Sequence, residues 1–284
     1  MLKIIDISRW NTVTNWNKIK ASGVDLVIIK ATQGHSLTSS HHLFTDSKFH
    51  THIQGAIAAG IPVGVYHFLT SSNDTEAIRE ANYFCEVISR YKDKIVFAAC
   101  DAENYNNPHL LNLDRVDLTC RINTFCNHVQ QSGYRAIHYT NVDHIRNFIN
   151  LDQIPFPVWV ASYGQTKPVV AGQKMIMWQY TDKGRVAGMT GNVDMNHGYF
   201  ELDDYITPEA PKDEQLQAGD RVRVINTTKM MGQTRCKLFG GKGTFRVYYD
   251  TYTVTSINHA TGRAVISYNG VIVAAVDAAN LQQV

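Results

Sequence analysis

Carboxylates recur in this chain where apolar runs give out. Leu2-Lys3-Ile4-Ile5 leads into Asp6-Ile7-Ser8, and Ile95-Val96-Phe97-Ala98-Ala99-Cys100 leads into Asp101-Ala102-Glu103-Asn104. Met177-Trp178-Gln179-Tyr180 leads through Gly184, Gly188 and Gly191 to Asn192-Val193-Asp194-Met195-Asn196. In a parallel β/α protein the carboxyl ends of the strands converge on the active-site face. Asp101 and Glu103 are two apart at a strand end, so their side chains point the same way. Two carboxylates on one face repel, which keeps one protonated near neutral pH, as a general acid requires. Cleaving a glycosidic bond needs such an acid at the leaving oxygen and negative charge near the oxocarbenium carbon. A single Asp-x-Glu is more often an acidic loop than a site. The set Asp6, Asp101, Glu103 and Asp194 is harder to assign to solvated loops.

Aromatic residues accompany these acids in Tyr66-His67-Phe68, His138-Tyr139, Trp159 with Tyr163, and Trp178-Gln179-Tyr180. Sugar rings stack their apolar faces on such side chains while polar groups fix the hydroxyls. Tyr66, Tyr139, Trp159, Tyr163 and Gln179 are therefore the candidate substrate-binding residues. Phe68 and Trp178 read as barrel core, and Trp10 and Trp16 as helix-packing residues. His35, His41, His42, His50 and His52 are dense but lack a His-Glu-x-x-His spacing, and read as a polar loop over the mouth rather than a metal site. No Gly-x-Ser-x-Gly elbow is present, and no cofactor is called for.

The elements that would position these residues alternate along the first two hundred positions. Strand-like runs are Leu2–Asp6, Leu26–Ala31, Pro62–Phe68, Ile95–Asp101, Ala136–Thr140, Val158–Ser162 and Met175–Tyr180. Helical patterns cover Thr14–Ser22, Phe49–Ala59, Asn73–Tyr91 and Asp114–Ser132, three of them closed by Gly23, Gly60 and Gly133. This rhythm predicts a parallel sheet, and seven or eight strands predict closure into a barrel. Helices are fewer than strands, so the expected fold is α/β, an irregular (β/α) barrel.

The pattern changes after about residue 202. A polar, proline-bearing stretch reads as a linker over 206–214, between a domain over 1–205 and one over 215–284. Short alternating runs follow at Arg221–Ile225, Thr244–Tyr249, Tyr252–Ile257, Arg263–Tyr268 and Val271–Val276, with turn signals such as Asn269-Gly270. They predict a small all-β barrel. Tyr248, Tyr249 and Tyr252 are either exposed contacts for a ligand or cross-strand pairs.

The 284 residues carry a net charge of +2, which calls for no nucleic-acid partner. Residues 213–284 hold eight Lys/Arg against five Asp/Glu, a mildly basic tail suited to an anionic surface. No run of about eighteen apolar residues exists, so no membrane span is expected. Nor is a signal-peptide pattern visible after Met1. The five cysteines are odd in number and share no framework spacing, which predicts reduced, mostly core thiols and a chain made in the cytoplasm.

Ordered motifs over residues 2–200 give the chain a likeness to a known family. They are Asp6-Ile7-Ser8, Ile28-Ile29-Lys30-Ala31-Thr32-Gln33-Gly34, the run from Gly55 to Phe68, Asp101-Ala102-Glu103, Trp178-Gln179-Tyr180 and Gly191-Asn192-Val193-Asp194-Met195-Asn196. In these the chain resembles the glycoside hydrolase 25 lysozymes, the Chalaropsis-type muramidases. The resemblance implies an irregular β/α barrel that cleaves the β-1,4 bond between N-acetylmuramic acid and N-acetylglucosamine. It implies Glu103 as general acid, with Asp101, Asp6 and Asp194 as further acidic site residues, and retention assisted by the substrate's own 2-acetamido group. Gln33 departs from the Glu often found there in the family. The C-terminal part is similar to a bacterial SH3-type wall-binding module, and the whole plan resembles a phage endolysin acting on Gram-positive walls. Such an enzyme is made in the host cytoplasm and meets peptidoglycan and its associated polymers after the membrane is breached. Alternatives are a wall-binding protein with an impaired barrel, or a glycosidase for another N-acetylglucosamine polymer. The linker composition raises a further expectation: a freed small domain, from proteolysis or internal translation, pairing with the full chain as a homo-oligomer.

Overall fold

The computed structural model describes residues 1–34, 43–103, 107, 110, 113–164, 166–170, 175–206, 216–230, 232–241 and 243–283. The chain divides into two compact units, Met1–Glu209 and Ala210–Val284. Of the expected linker, residues 207–214 lie outside the described residues.

Eight strands close the first unit into a barrel: β1 (Leu2–Ile7), β2 (Leu26–Gln33), β3 (Val63–Phe68), β4 (Ile95–Asp101), β5 (Ala136–Asn141), β6 (Val158–Ala161), β7 (Met175–Gly184) and β8 (Val193–Gly198). The helices are α1 (Trp16–Ala21), α2 (Phe49–Ala58), α3 (Asp74–Ile88), α4 (Arg115–Gln131), α5 (Val142–Asn147) and α6 (Asp203–Ile206). Strands β1 to β7 pair in parallel, in chain order. Strand β8 is inserted antiparallel between β7 and β1 and closes the ring. The all-parallel expectation is corrected here. No helical crossover separates β7 from β8, and a direct return makes an antiparallel pair.

Local chemistry accounts for the helix starts. Asn15, Asn73, Asp114 and Asn141 accept from the backbone N–H three residues on, capping α1, α3, α4 and α5. Alternation within the strands then makes two apolar layers. Ile5, Ile7, Val27, Ile29, Val63 and Val65 pack outward with Phe49, Phe84 and Phe125 of the helices. Ile4, Leu26, Ile28, Phe97, Ala99, Ile137 and Met177 fill the interior. Gly64 makes room there, because a Cβ at that position would meet the Phe97 ring at 2.5 Å. The polar-looking residues from Glu201 belong to this unit, since Tyr205 packs edge-on against Phe97 and tilted on Phe200.

The second unit is all-β. Its strands are β9 (Arg221–Val224), β10 (Thr228–Met230), β11 (Gln233–Lys237), β12 (Thr244–Arg246), β13 (Tyr252–Asn258), β14 (Arg263–Tyr268), β15 (Val271–Asp277) and β16 (Leu281–Gln283). They form a five-stranded sheet in the order β15-β14-β13-β9-β16 and a three-stranded sheet β10-β11-β12. Three of these strands, β10, β11 and β16, were not anticipated. Asn269 and Gly270 both hold positive φ, 48° and 78°, as a two-residue hairpin turn between β14 and β15 requires.

All five thiols are free. Cys100, Cys126 and Cys236 are buried, while Cys120 is exposed on α4 and Cys85 half-buried on α3.

Candidate active site

Side chains two apart share a face of a strand. The interior residues Ile4, Ala99 and Ile137 are therefore followed by Asp6, Asp101 and Tyr139, one layer nearer the mouth. Pairing register aligns this layer around the ring. Asp101 lies beside Tyr139, Tyr139 beside Trp159, and Ala161 beside Gln179. Asp194, the second residue of β8, stands directly opposite Asp6. It stands at the start of an antiparallel strand, not at the end of a parallel one, and so reaches the same end of the barrel.

All nine candidate residues line one pocket of about 230 Å³: Asp6, Tyr66, Asp101, Glu103, Tyr139, Trp159, Tyr163, Gln179 and Asp194. A hydrogen-bonded chain orders its floor. The Trp159 Nε1–H donates to Asn196 Oδ1 at 2.8 Å, and Asn196 Nδ2 donates to Asp6 Oδ2 at 2.8 Å. Gln179 Nε2 donates to the same Asp6 oxygen at 3.0 Å. Tyr139 and Tyr163 hydroxyls both donate to Gln179 Oε1, at 2.9 and 3.3 Å.

Every acid of the pocket is shifted upward. Burial raises Asp6, while hydrogen bonds from Asn196, Gln179 and Asp194 oppose the rise. Burial, the charge of Asp6 and a hydrogen bond to it push Asp194 up to about 8. Asp194 is thus the protonated partner near neutral pH and Asp6 the acceptor. Asp101 stands well above the usual carboxylate range through burial and the charge of Glu103, against the pull of Lys30. Glu103 is raised by burial, and a hydrogen bond from Asn141 offsets part of this. Among the described residues, Asp101 Oδ1 is buried without a hydrogen-bond partner.

Lys30, Asn141 and Asn196 were missed as site residues in the sequence. Lys30 donates to Gln33 Oε1 at 2.8 Å and lies over the rings of Phe68 and Tyr66, at 4.8 and 5.9 Å. Burial lowers its pKa, and the charges of Asp101, Asp46 and Glu103 raise it again. Gln33 is neutral, so Lys30 is balanced by the pocket acids. The appearance of Lys30 inside an apolar run was the available signal. Asn196 stands two positions after Asp194 in a motif already quoted, which was its signal; Asn141 had none.

Other expectations are corrected. His35, His41 and His42 lie outside the described residues. His50 and His52 lie on α2, not in a loop, with His52 buried and edge-on to Trp16. Trp178 is buried, its Nε1 donating to the Ser162 carbonyl, whereas Phe68 is half-buried under Lys30. Trp16 opens α1 against the core, but Trp10 is 81% exposed and packs no helix. In the second unit Tyr252 is core, its hydroxyl accepting from the Tyr248 and Tyr249 amides. Tyr249 stacks on Tyr268 with ring centres 3.4 Å apart, and Tyr248 remains exposed.

Residues 5–189 match the family model for glycosyl hydrolases family 25. The chain belongs to that family. Among curated relatives, this family 25 chain is 30% identical over 195 residues to an autolytic lysozyme of Clostridium acetobutylicum, covering 69% of this chain and 55% of that protein. The chain thus spans about half the length of that relative. Among solved structures, the CTP1L endolysin aligns at 28% identity with a TM-score of 0.60, covering 72% of this chain and 69% of that one. The modular autolysin LytC of Streptococcus pneumoniae, solved with a synthetic peptidoglycan ligand, aligns at 25% identity with a TM-score of 0.60. That alignment covers 70% of this chain and 46% of LytC.

Proposed function

We propose that this family 25 chain is a muramidase that hydrolyses the β-1,4 bond between N-acetylmuramic acid and N-acetylglucosamine in bacterial peptidoglycan. The observation that carries the reading is the pocket itself, where four acids, Asp6 and Asp101 buried and Glu103 and Asp194 half-buried, meet tyrosine, tryptophan and glutamine side chains. The names of its relatives, an autolytic lysozyme and an endolysin, agree with it.

In this reading Glu103, raised toward neutral pH, gives its proton to the glycosidic oxygen. The substrate's 2-acetamido oxygen attacks the anomeric carbon and closes an oxazolinium ring as the glycosidic bond breaks. Asp101, which lines the pocket, accepts the acetamido N–H, and the Asp6–Asp194 pair supplies negative charge opposite. Glu103 then takes a proton from water, which opens the ring with retained configuration. Tyr66, Tyr139, Trp159, Tyr163 and Gln179 hold the sugar.

The second unit serves as an SH3-like wall-binding module over 215–284, joined by a linker over 206–214, and the whole acts as an endolysin on Gram-positive walls. The test is a digest of purified Gram-positive peptidoglycan, with fragments identified by mass spectrometry. New reducing N-acetylmuramic acid ends, lost in Glu103→Gln while wall binding persists, are expected. New amines without reducing ends would overturn the assignment.

A further inference from the structure

A single exposed aromatic on a protein surface needs no explanation. Trp10 differs in how firmly its loop is held. The loop 8–11 leaves β1 two residues after Asp6, on the mouth side of the barrel. The Ser8 amide donates to Asn11 Oδ1 at 2.9 Å, and the Asn11 amide returns to the Ser8 carbonyl at 3.0 Å. Arg9 N–H donates to Oδ2 of the buried Asp46 at 3.0 Å. Lys48 Nζ donates to the Asn11 carbonyl at 2.8 Å. Asn11 Nδ2 donates to the carbonyl of Asn192 at 3.3 Å, two residues before Asp194. The loop therefore bridges the two strands that carry Asp6 and Asp194.

On this frame the Arg9 guanidinium lies over two rings, 4.9 Å from the centre of Trp10 and 5.6 Å from that of Phe44. Phe44 pairs with Gln33 at the mouth end of β2. Among the described residues, the Arg9 guanidinium forms no ion pair with a carboxylate. One face of Trp10 is thus braced by a cation, and at 81% exposure the other is open to solvent. Trp10 follows Asp6 by four residues, so their Cα atoms are within about 14 Å.

We propose that Trp10 and Arg9 form a second sugar-binding platform beside the pocket, taking a ring of the glycan chain that carries a carboxylate. Trp10 stacks on the sugar's apolar face, and Arg9 pairs with the acid in the fork geometry suited to carboxylates. A preformed platform of this kind costs little ordering on binding. The inference rests on the proposed cleavage of a muramic-acid glycan.

The test compares kcat/KM for long soluble glycan strands with that for the shortest fragment the wild-type chain cleaves. Trp10→Ala is expected to lower the value for long strands roughly ten-fold, mostly through KM, and to leave the shortest fragment unchanged. Trp10→Phe should recover part of the loss. Arg9→Ala should weaken strands with free muramic carboxylates and spare strands whose carboxylates are converted to methyl amides. No loss on long strands, or an equal loss on both substrates, overturns the platform while leaving the muramidase reading intact. If the wild-type chain makes no reducing ends, the muramidase reading fails. The platform is then decided by binding titration with the same strands, where an affinity weakened in Trp10→Ala supports it and an unchanged affinity overturns it.

Discussion

Replacing Asp194 by Asn should make the barrel more stable and less active, and the gain should depend on pH. In the folded chain Asp194 is pushed up to about 8, from 3.8, by burial and by the charge and hydrogen bond of Asp6. An acid whose pKa is raised on folding holds its proton after the unfolded chain has released it. Stability from this group is therefore full below pH 4 and is lost as pH rises toward 8. Each unit corresponds to about 1.4 kcal/mol, so the loss between pH 4 and pH 7 approaches about 4 kcal/mol for an isolated site. Partial exposure and coupling to Asp6 and Glu103 reduce this to about 2 kcal/mol. The side-chain amide introduced by Asp194→Asn would still donate to Asp6, as the protonated acid does, but has no proton to lose.

The assay is urea unfolding at several pH values from 4 to 8, read by tryptophan fluorescence. All four tryptophans, Trp10, Trp16, Trp159 and Trp178, lie in the first unit, so the signal reports the barrel alone. Asp194→Asn should exceed wild type by about 2 kcal/mol at pH 7.5 and converge with it near pH 4. A gap that is constant with pH would refute the raised pKa. A gap that widens on acidification would mean that folding depresses it instead. Activity on peptidoglycan should fall, since the amide still donates to Asp6 but cannot release a proton as the charge of the pair adjusts to the developing cation.

Three further outcomes are expected. Asn196→Ala removes a donor to Asp6 and the acceptor of Trp159 Nε1, and should cost about 2–3 kcal/mol in denaturant unfolding. Lys30→Met removes the cation that lowers Asp101 and Glu103, so both acids rise and both limbs of the pH profile of kcat/KM should move to higher pH; unmoved limbs would exclude that role. Glu80→Ala strips the buried acceptor of His67 Nε2 (2.7 Å) and of the Thr70 amide (3.0 Å), and should destabilise the barrel by about 3–5 kcal/mol in the same unfolding assay.

The seven parallel strands were legible because each is an apolar run bounded by turn or helix signals. Asp6, Asp101, Tyr139 and Gln179 were legible with them, since each stands one alternation beyond a core residue. Strand β8 was not. Its sequence, Val193-Asp194-Met195-Asn196-His197-Gly198, places Asp194 in the pocket and fully buries Asn196. A strand whose inward face is polar has no hydrophobic period to read. Asn196 is buried because its partners are Asp6 and Trp159, 190 and 37 residues away. Trp10 was misread for the opposite reason, since an aromatic beside a helix start carries no local mark of which way it faces.

The reversal of β8 also explains the acid chemistry. Asp194 lies near the start of its strand, and in a parallel strand that position would lie at the end of the barrel away from Asp6. Running antiparallel, β8 sets Asp194 directly opposite Asp6. Directly opposed carboxylates in neighbouring strands repel unless one keeps its proton. Burial makes that repulsion strong, and the donors Asn196 and Gln179 select Asp6 as the member that ionises. Register holds the pair together, because a slip of one residue would turn Asp194 out of the barrel and Met195 in. The shared proton is therefore set by topology: one antiparallel strand in a parallel barrel converts a distant aspartate into the neutral half of a pair.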